Sequence, residues 1–173
     1  MRSVFTIVTP LPACITPETV LKLLHSHADM IKLNPLVCNF QRCDPPEDTP
    51  ADEQEFIWYE ITDKVAYLPW NLLSGEVTFK ACFFDLRTGL QTHVYAPMGL
   101  DMKETWSVES NVSEDPTEAI ASGLAGEPSR GWCLREDIDM QCNMLMTGFV
   151  KKTLKTAHAS LIDQLILRLN QGN

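Results

Sequence analysis

The chain has 173 residues, enough for one domain with a substantial hydrophobic core. Apolar residues make up 45% and charged residues 21%, an ordinary balance for a globular protein. The formal net charge of -9 argues against nucleic acid or an anionic membrane surface as the main partner, because both need clustered Lys and Arg.

Ser3 to Thr9 is β-rich and stops at Pro10 and Pro12, which predicts a first strand. Thr16-Pro17-Glu18 is a helix start: a capping hydroxyl, Pro in the first turn and an acid at the positive dipole end. A second short helix, Ala28 to Leu33, must end before Pro35. Leu36 to Cys43 is a second strand, and Asp44 to Glu53, rich in Pro and acid, reads as a solvated surface loop. Four strands follow, at Glu55 to Val65, Glu76 to Phe84, Leu90 to Ala96 and Met102 to Glu109. Residues 111–130 form a long Gly/Ser/Pro/Glu loop, and Trp132 to Cys142 is the last strand.

From Met144 to Leu169 the pattern becomes helical, with Met146, Val150, Leu154, Ala157, Leu161 and Leu165 close to one stripe. Residues 1–173 then form a single α+β domain of the helix-grip kind. A curved antiparallel sheet of about seven strands wraps a long C-terminal helix, with two short helices after strand one.

No segment approaches the roughly 18 apolar residues of a membrane span, and the apolar run near the N-terminus is too short for a signal-peptide core. The six cysteines have no CxxC spacing and read as small buried apolar residues, consistent with a cytoplasmic protein. His25 and His27, two apart, are poorly placed for joint metal binding. Asp44 to Glu55 lacks the central Gly of a calcium loop, and Gly123 to Gly126 lacks the Lys-Ser/Thr of a phosphate loop. No metal or organic cofactor is implied.

Period-two alternation makes one pointed suggestion. Glu104 shares a face with Met102, Trp106 and Val108, and Glu136 shares one with Trp132, Leu134, Ile138 and Met140. If these strands pair, two carboxylates meet on the apolar side of the sheet, where burial and like charge raise a pKa toward the acid/base range. The alternative is that strand ends expose them or that Arg135, His93 or a tyrosine satisfies them. His93 and Tyr95 share one strand face, opposite Thr92 and Val94, while Tyr59 lies opposite Trp58; either set fits an inward position. Glu104, Glu136 and His93 are the candidate acids and bases. Tyr59, Trp58, Phe79, Phe83, Tyr95, Trp106, Met140, Met146, Phe149 and Val150 are candidates to line a pocket, or to fill a solid core.

The element order resembles the START-like (SRPBCC, birch-pollen-allergen-like) superfamily across essentially the whole chain. Several segments resemble, more narrowly, an uncharacterised fungal family within it: His27 to Pro35, Ile57 to Asp63, Tyr95 to Asp101, Leu134-Arg135-Glu136-Asp137 and Gly148 to Thr153. The resemblance implies a cavity between sheet and helix for a small lipophilic molecule, such as a lipid or a polyketide- or terpenoid-like secondary metabolite. It equally admits a cofactor-independent cyclase, isomerase or dehydratase in the same pocket, and it transfers no catalytic residue. A protein-interaction module with a filled core is the third expectation.

Overall fold

The computed structural model describes residues 1–66, 74–97, 99–110 and 131–171. Strand β1 (Arg2–Pro10) leads into helices α1 (Pro17–Leu24) and α2 (His27–Lys32). Strands β2 (Val37–Cys43), β3 (Ile57–Ala66), β4 (Ser74–Leu86), β5 (Gly89–Ala96), β6 (Leu100–Ser110) and β7 (Trp132–Gln141) follow, and helix α3 (Met144–Gln171) closes the chain. The strands form one antiparallel sheet in the order β1-β7-β6-β5-β4-β3-β2. The two short helices lie in sequence between the two edge strands.

Local chemistry explains the punctuation. Thr16 caps α1 by accepting from the Thr19 amide, and Pro17 occupies the first turn, where its missing N–H costs nothing. The β4–β5 hairpin brings Gly89 so close to β6 that a Cβ there would sit 1.8 Å from the Trp106 carbonyl oxygen, so only glycine fits. His25 and His27 have separate tasks. His25 Nε2 lies within 3.1 Å of the Leu86 carbonyl and 2.9 Å of the Gly89 carbonyl, which ties the helical corner to that hairpin.

Directly opposite residues in antiparallel strands share a face, so the register sorts the sheet into two sides. Phe5, Ile138, Glu104, Thr92 and Phe83 form one row on the inner side; Met140, Met102, Val94, Ala81 and Tyr59 form the next. Leu23, Leu24, Ile31, Phe83, Leu90, Trp106, Leu134 and Leu161 bury one core on this side, beneath α1 and α2. Val150 and Leu154 of α3 pack with Met102, Ile138, Met140 and Cys142 in a second cluster. The expected α3 stripe therefore faces the sheet at Val150, Leu154 and Leu161, with Lys151, Lys152, Lys155 and Asp163 exposed. The side chains of Met146 and Leu165 lie outside the described part of the molecule.

Two expectations need correction. Asp44 to Glu53 is not simply a solvated loop: it crosses the outer side of the sheet, where Thr49 and Glu53 are buried. Nor are all the cysteines buried. Cys82, Cys133 and Cys142 are, but Cys14 and Cys38 are exposed. The loop expected over 111–130 lies outside the described residues.

Candidate functional site

Glu104 and Glu136 both point to the inner side and are 8% and 0% exposed. Glu104 stands opposite Ile138, and Glu136 stands opposite Trp106. The two acids are thus diagonal neighbours on adjacent strands, a separation that long side chains span easily. They hydrogen-bond to each other. Thr92, opposite Glu104 on β5, donates from Oγ1 to Glu104 Oε2 at 2.7 Å. Burial pushes the Glu136 carboxyl up to about 8, and the hydrogen bond from Glu104 offsets this only in part.

His93 does not join them. It lies on the outer side, directly between Cys82 and Lys103 in register, because its neighbours Thr92 and Val94 point inward. There it bridges two carboxylates: Nδ1 to Glu53 Oε1 at 2.7 Å and Nε2 to Asp101 Oδ1 at 2.9 Å. Tyr95 and Trp58 are also outside. The Tyr95 hydroxyl donates to Glu53 Oε2 at 2.6 Å, its ring stacks on Trp58, and Trp58 Nε1 donates to the Glu53 carbonyl. Glu53, 1% exposed, is the hub that the loop's polar composition conceals. Burial alone would raise its carboxyl, but hydrogen bonds from Tyr95 and His93 reverse this and hold it below the usual range. A solvent-open groove of about 650 Å³ adjoins this network, lined by Pro46, Thr49, Trp58, Lys80, Tyr95 and Asp101. Its aromatic lining belongs to the side chains that hold the loop down, and a ligand entering deeply would have to displace them.

On the inner side the arrangement is different. Tyr59, Phe79, Phe83, Trp106, Met140 and Val150 all face it. Phe149, by contrast, is 44% exposed, because it falls beside the α3 stripe rather than on it. Sequence reasoning overlooked His27 as a site residue. It is buried against Phe83, with ring centroids 4.9 Å apart, and its Nε2 lies 2.9 Å from Asp85 Oδ1. With that nitrogen donating to the carboxylate, Nδ1 accepts from the Tyr59 hydroxyl at 3.4 Å. Asp63 was also missed. Its Oδ2 accepts from Asn34 Nδ2 at 2.9 Å, and burial raises its carboxyl. Neither residue carries a motif; only the register of β3 and the placement of α2 bring them to this side.

Over residues 1–171 the sequence matches a family described as Domain of unknown function (DUF7053). The chain belongs to the DUF7053 family. No curated protein matches it. Among solved structures, the crystal structure of Ara h 8.0201 is similar, with a TM-score of 0.58 at 8% identity, covering 96% of this chain and 99% of that one. At that identity the likeness concerns the fold alone, and that fold is the helix-grip α+β architecture that the element order of this DUF7053 chain indicated. Among the described residues, no helix of this DUF7053 protein is long and apolar enough to cross a membrane, and no cluster of His, Cys, Asp and Glu has metal-binding geometry.

Proposed function

We propose that this protein holds a small lipophilic molecule between the inner side of its sheet and helix α3. One observation carries the reading. Phe79, Val94 and Tyr59 belong to β4, β5 and β3, none of them an edge strand of the seven-stranded sheet, face the apolar side, and are nevertheless only half-buried. Side chains so placed are normally sealed in a filled two-layer core. Partial exposure there fits a cleft whose walls are aromatic and aliphatic, with a few convergent polar groups at Glu104, Glu136, Thr92 and Tyr59. A secondary metabolite of polyketide or terpenoid type, or a lipid, is the class to examine first.

The test is native mass spectrometry on protein purified gently from its own host, together with titration of the neutral dye Nile red. A co-purifying lipophilic mass, or saturable dye binding, is the expected outcome. A clean apo mass with no saturable dye binding overturns the reading.

The hydrogen-bonded carboxyl pair favours a second reading, a cofactor-independent cyclase, isomerase or dehydratase acting on the molecule held there. A carboxyl whose pKa is raised to about 8 is a competent proton donor at neutral pH. If the recovered ligand is transformed on incubation, Glu104→Gln and Glu136→Gln should each abolish turnover while leaving the fold intact. Unchanged turnover in both variants removes the carboxyl pair from the chemistry.

A further inference from the structure

The sheet's two edges are not alike. Strand β2 is short and carries a register shift between Val37 and Asn39, an irregularity that blunts an edge. Strand β1 has nine residues in unbroken register with β7, and among the described strands β7 is its one neighbour. The Met1 amino group and the Cys142 amide each donate to the other's carbonyl, at 2.7 and 3.1 Å, and the Leu11 amide donates to the Trp132 carbonyl. Antiparallel alternation therefore turns the odd-numbered residues of β1 toward β7. It leaves the N–H and C=O groups of Arg2, Val4, Thr6 and Val8, with the Pro10 carbonyl, pointing to the free edge. Val4 and Val8 are also 70% and 53% exposed on the outer side. Helix α3 does not close this edge: Val150 and Leu154 lie against Met102, Ile138 and Met140 of β6 and β7, and only the exposed Lys151 reaches the Phe5 ring.

We propose that β1 is a self-association surface, on which a second copy of this chain adds its own β1 antiparallel, about a two-fold axis through Thr6. By residue type the strand reads nearly the same in both directions. In that register Val4 stands opposite Val8 of the other copy, Phe5 opposite its Ile7, Ser3 opposite its Thr9 and Thr6 opposite its Thr6. Apolar meets apolar and hydroxyl meets hydroxyl, the self-complementarity that an isologous interface requires. The hydrogen bonds agree. Even-numbered residues meet even-numbered ones, so Val4, Thr6 and Val8 exchange bonds in pairs, and the Pro10 carbonyl accepts from the Arg2 amide. A shift of two residues either way sets Thr6 against Val4 or Val8, and a shift of one turns the bonding groups out of phase. The net charge of -9 opposes self-association in general, but here the flanking charges are matched, Arg2 with Asp139 and Arg135 with Asp137. The two copies of Arg2 fall at opposite ends of the pairing, so no like charges face each other along it. A contact one strand long is at the small end of specific interfaces, so the dimer is weak, with a Kd on the order of tens of micromolar.

Sedimentation velocity on the purified chain, from about 1 to about 200 µM, should show monomer giving way to dimer. Two double variants then test the register, both at exposed positions that leave the core untouched. Val4→Lys/Val8→Lys places like charges directly opposite across the axis, whereas Val4→Lys/Val8→Glu places opposite charges there. The second should dimerise at least roughly tenfold more tightly than the first. In the wild type, amide exchange at Val4, Thr6 and Val8 should slow as concentration rises, while Phe5 and Ile7, already bonded to β7, change little. A wild type that stays monomeric throughout the range overturns the inference. So does a dimer that the two double variants treat alike, whether both form it or neither does, because the contact then lies elsewhere or in another register. Unchanged exchange at Val4, Thr6 and Val8 in a dimerising wild type overturns it as well.

Discussion

At the scale of single residues, two buried acids face opposite sides of the sheet and titrate in opposite directions. Glu53 is held below the usual carboxylate range because donors surround it, so its contribution to stability is present above the unfolded pKa and lost as pH falls through the folded one. Glu136 behaves inversely. Its folded pKa, raised from 4.5 to about 8, means that the folded chain binds more protons than the unfolded chain between those values. Stability must therefore decline as pH rises across that window, and the full effect of such a shift is on the order of 4–5 kcal/mol. Urea unfolding of the wild type should give a free energy that decreases from about pH 5 to pH 8. Glu136→Gln, neutral throughout, should flatten this decline and be the more stable protein at pH 8. A decline of equal slope in both proteins would show that Glu136 titrates normally.

Among the elements, the segment between β2 and β3 is the least ordinary. It reads as a solvated loop, yet it straps the outer side of the sheet through one side chain. His93, Tyr95 and, at 3.7 Å, the Cys82 thiol converge on the Glu53 carboxylate, with Lys103 Nζ 3.6 Å away. Removing one partner of such a buried network leaves charged and polar groups unsatisfied, which costs about 3–5 kcal/mol. Glu53→Ala should therefore destabilise the chain by that order in chemical unfolding and raise hydrogen exchange across residues 44–56. Exposed neighbours such as Asp52→Ala should do neither. A loss below about 1 kcal/mol would mean the strap is held by Trp58 and the prolines instead.

This strap also marks the boundary of what the sequence makes legible. Strand and helix existence was readable because each element is locally encoded, by alternation, by Thr16 and Pro17, and by the α3 stripe. The Glu104–Glu136 encounter was readable too, since it needs only consecutive strands and a period of two. Which side His93, Tyr95 and Trp58 occupy was not. Strands with polar residues on both sides have no single apolar face to betray their orientation. Glu53 in a Pro-rich acidic run is indistinguishable from its solvated neighbours until the strands that supply its donors are paired. His27 and Asp63 depend in the same way on long-range packing.

At the scale of the whole molecule, the two sides of one sheet are finished differently. The outer side is closed from within by a polar network among Glu53, His93, Asp101 and Tyr95, all supplied by the chain itself. The inner side has two packed clusters, one under α1 and α2 and one under the start of α3, while Phe79, Val94 and Tyr59 remain half-buried. A lipophile seated at those residues binds the folded state and not the unfolded one, so it must raise stability by mass action. At a hundred times its Kd the gain is about 2.7 kcal/mol, and for a chain of this length that corresponds to roughly 5–10 °C in Tm. Nile red at saturating concentration should produce such a shift, with slowed hydrogen exchange in α3 and in β4 to β6 and no change across residues 44–56. Protection confined to 44–56 would instead locate the ligand in the outer groove, on the side that the chain already fills with its own hydrogen bonds.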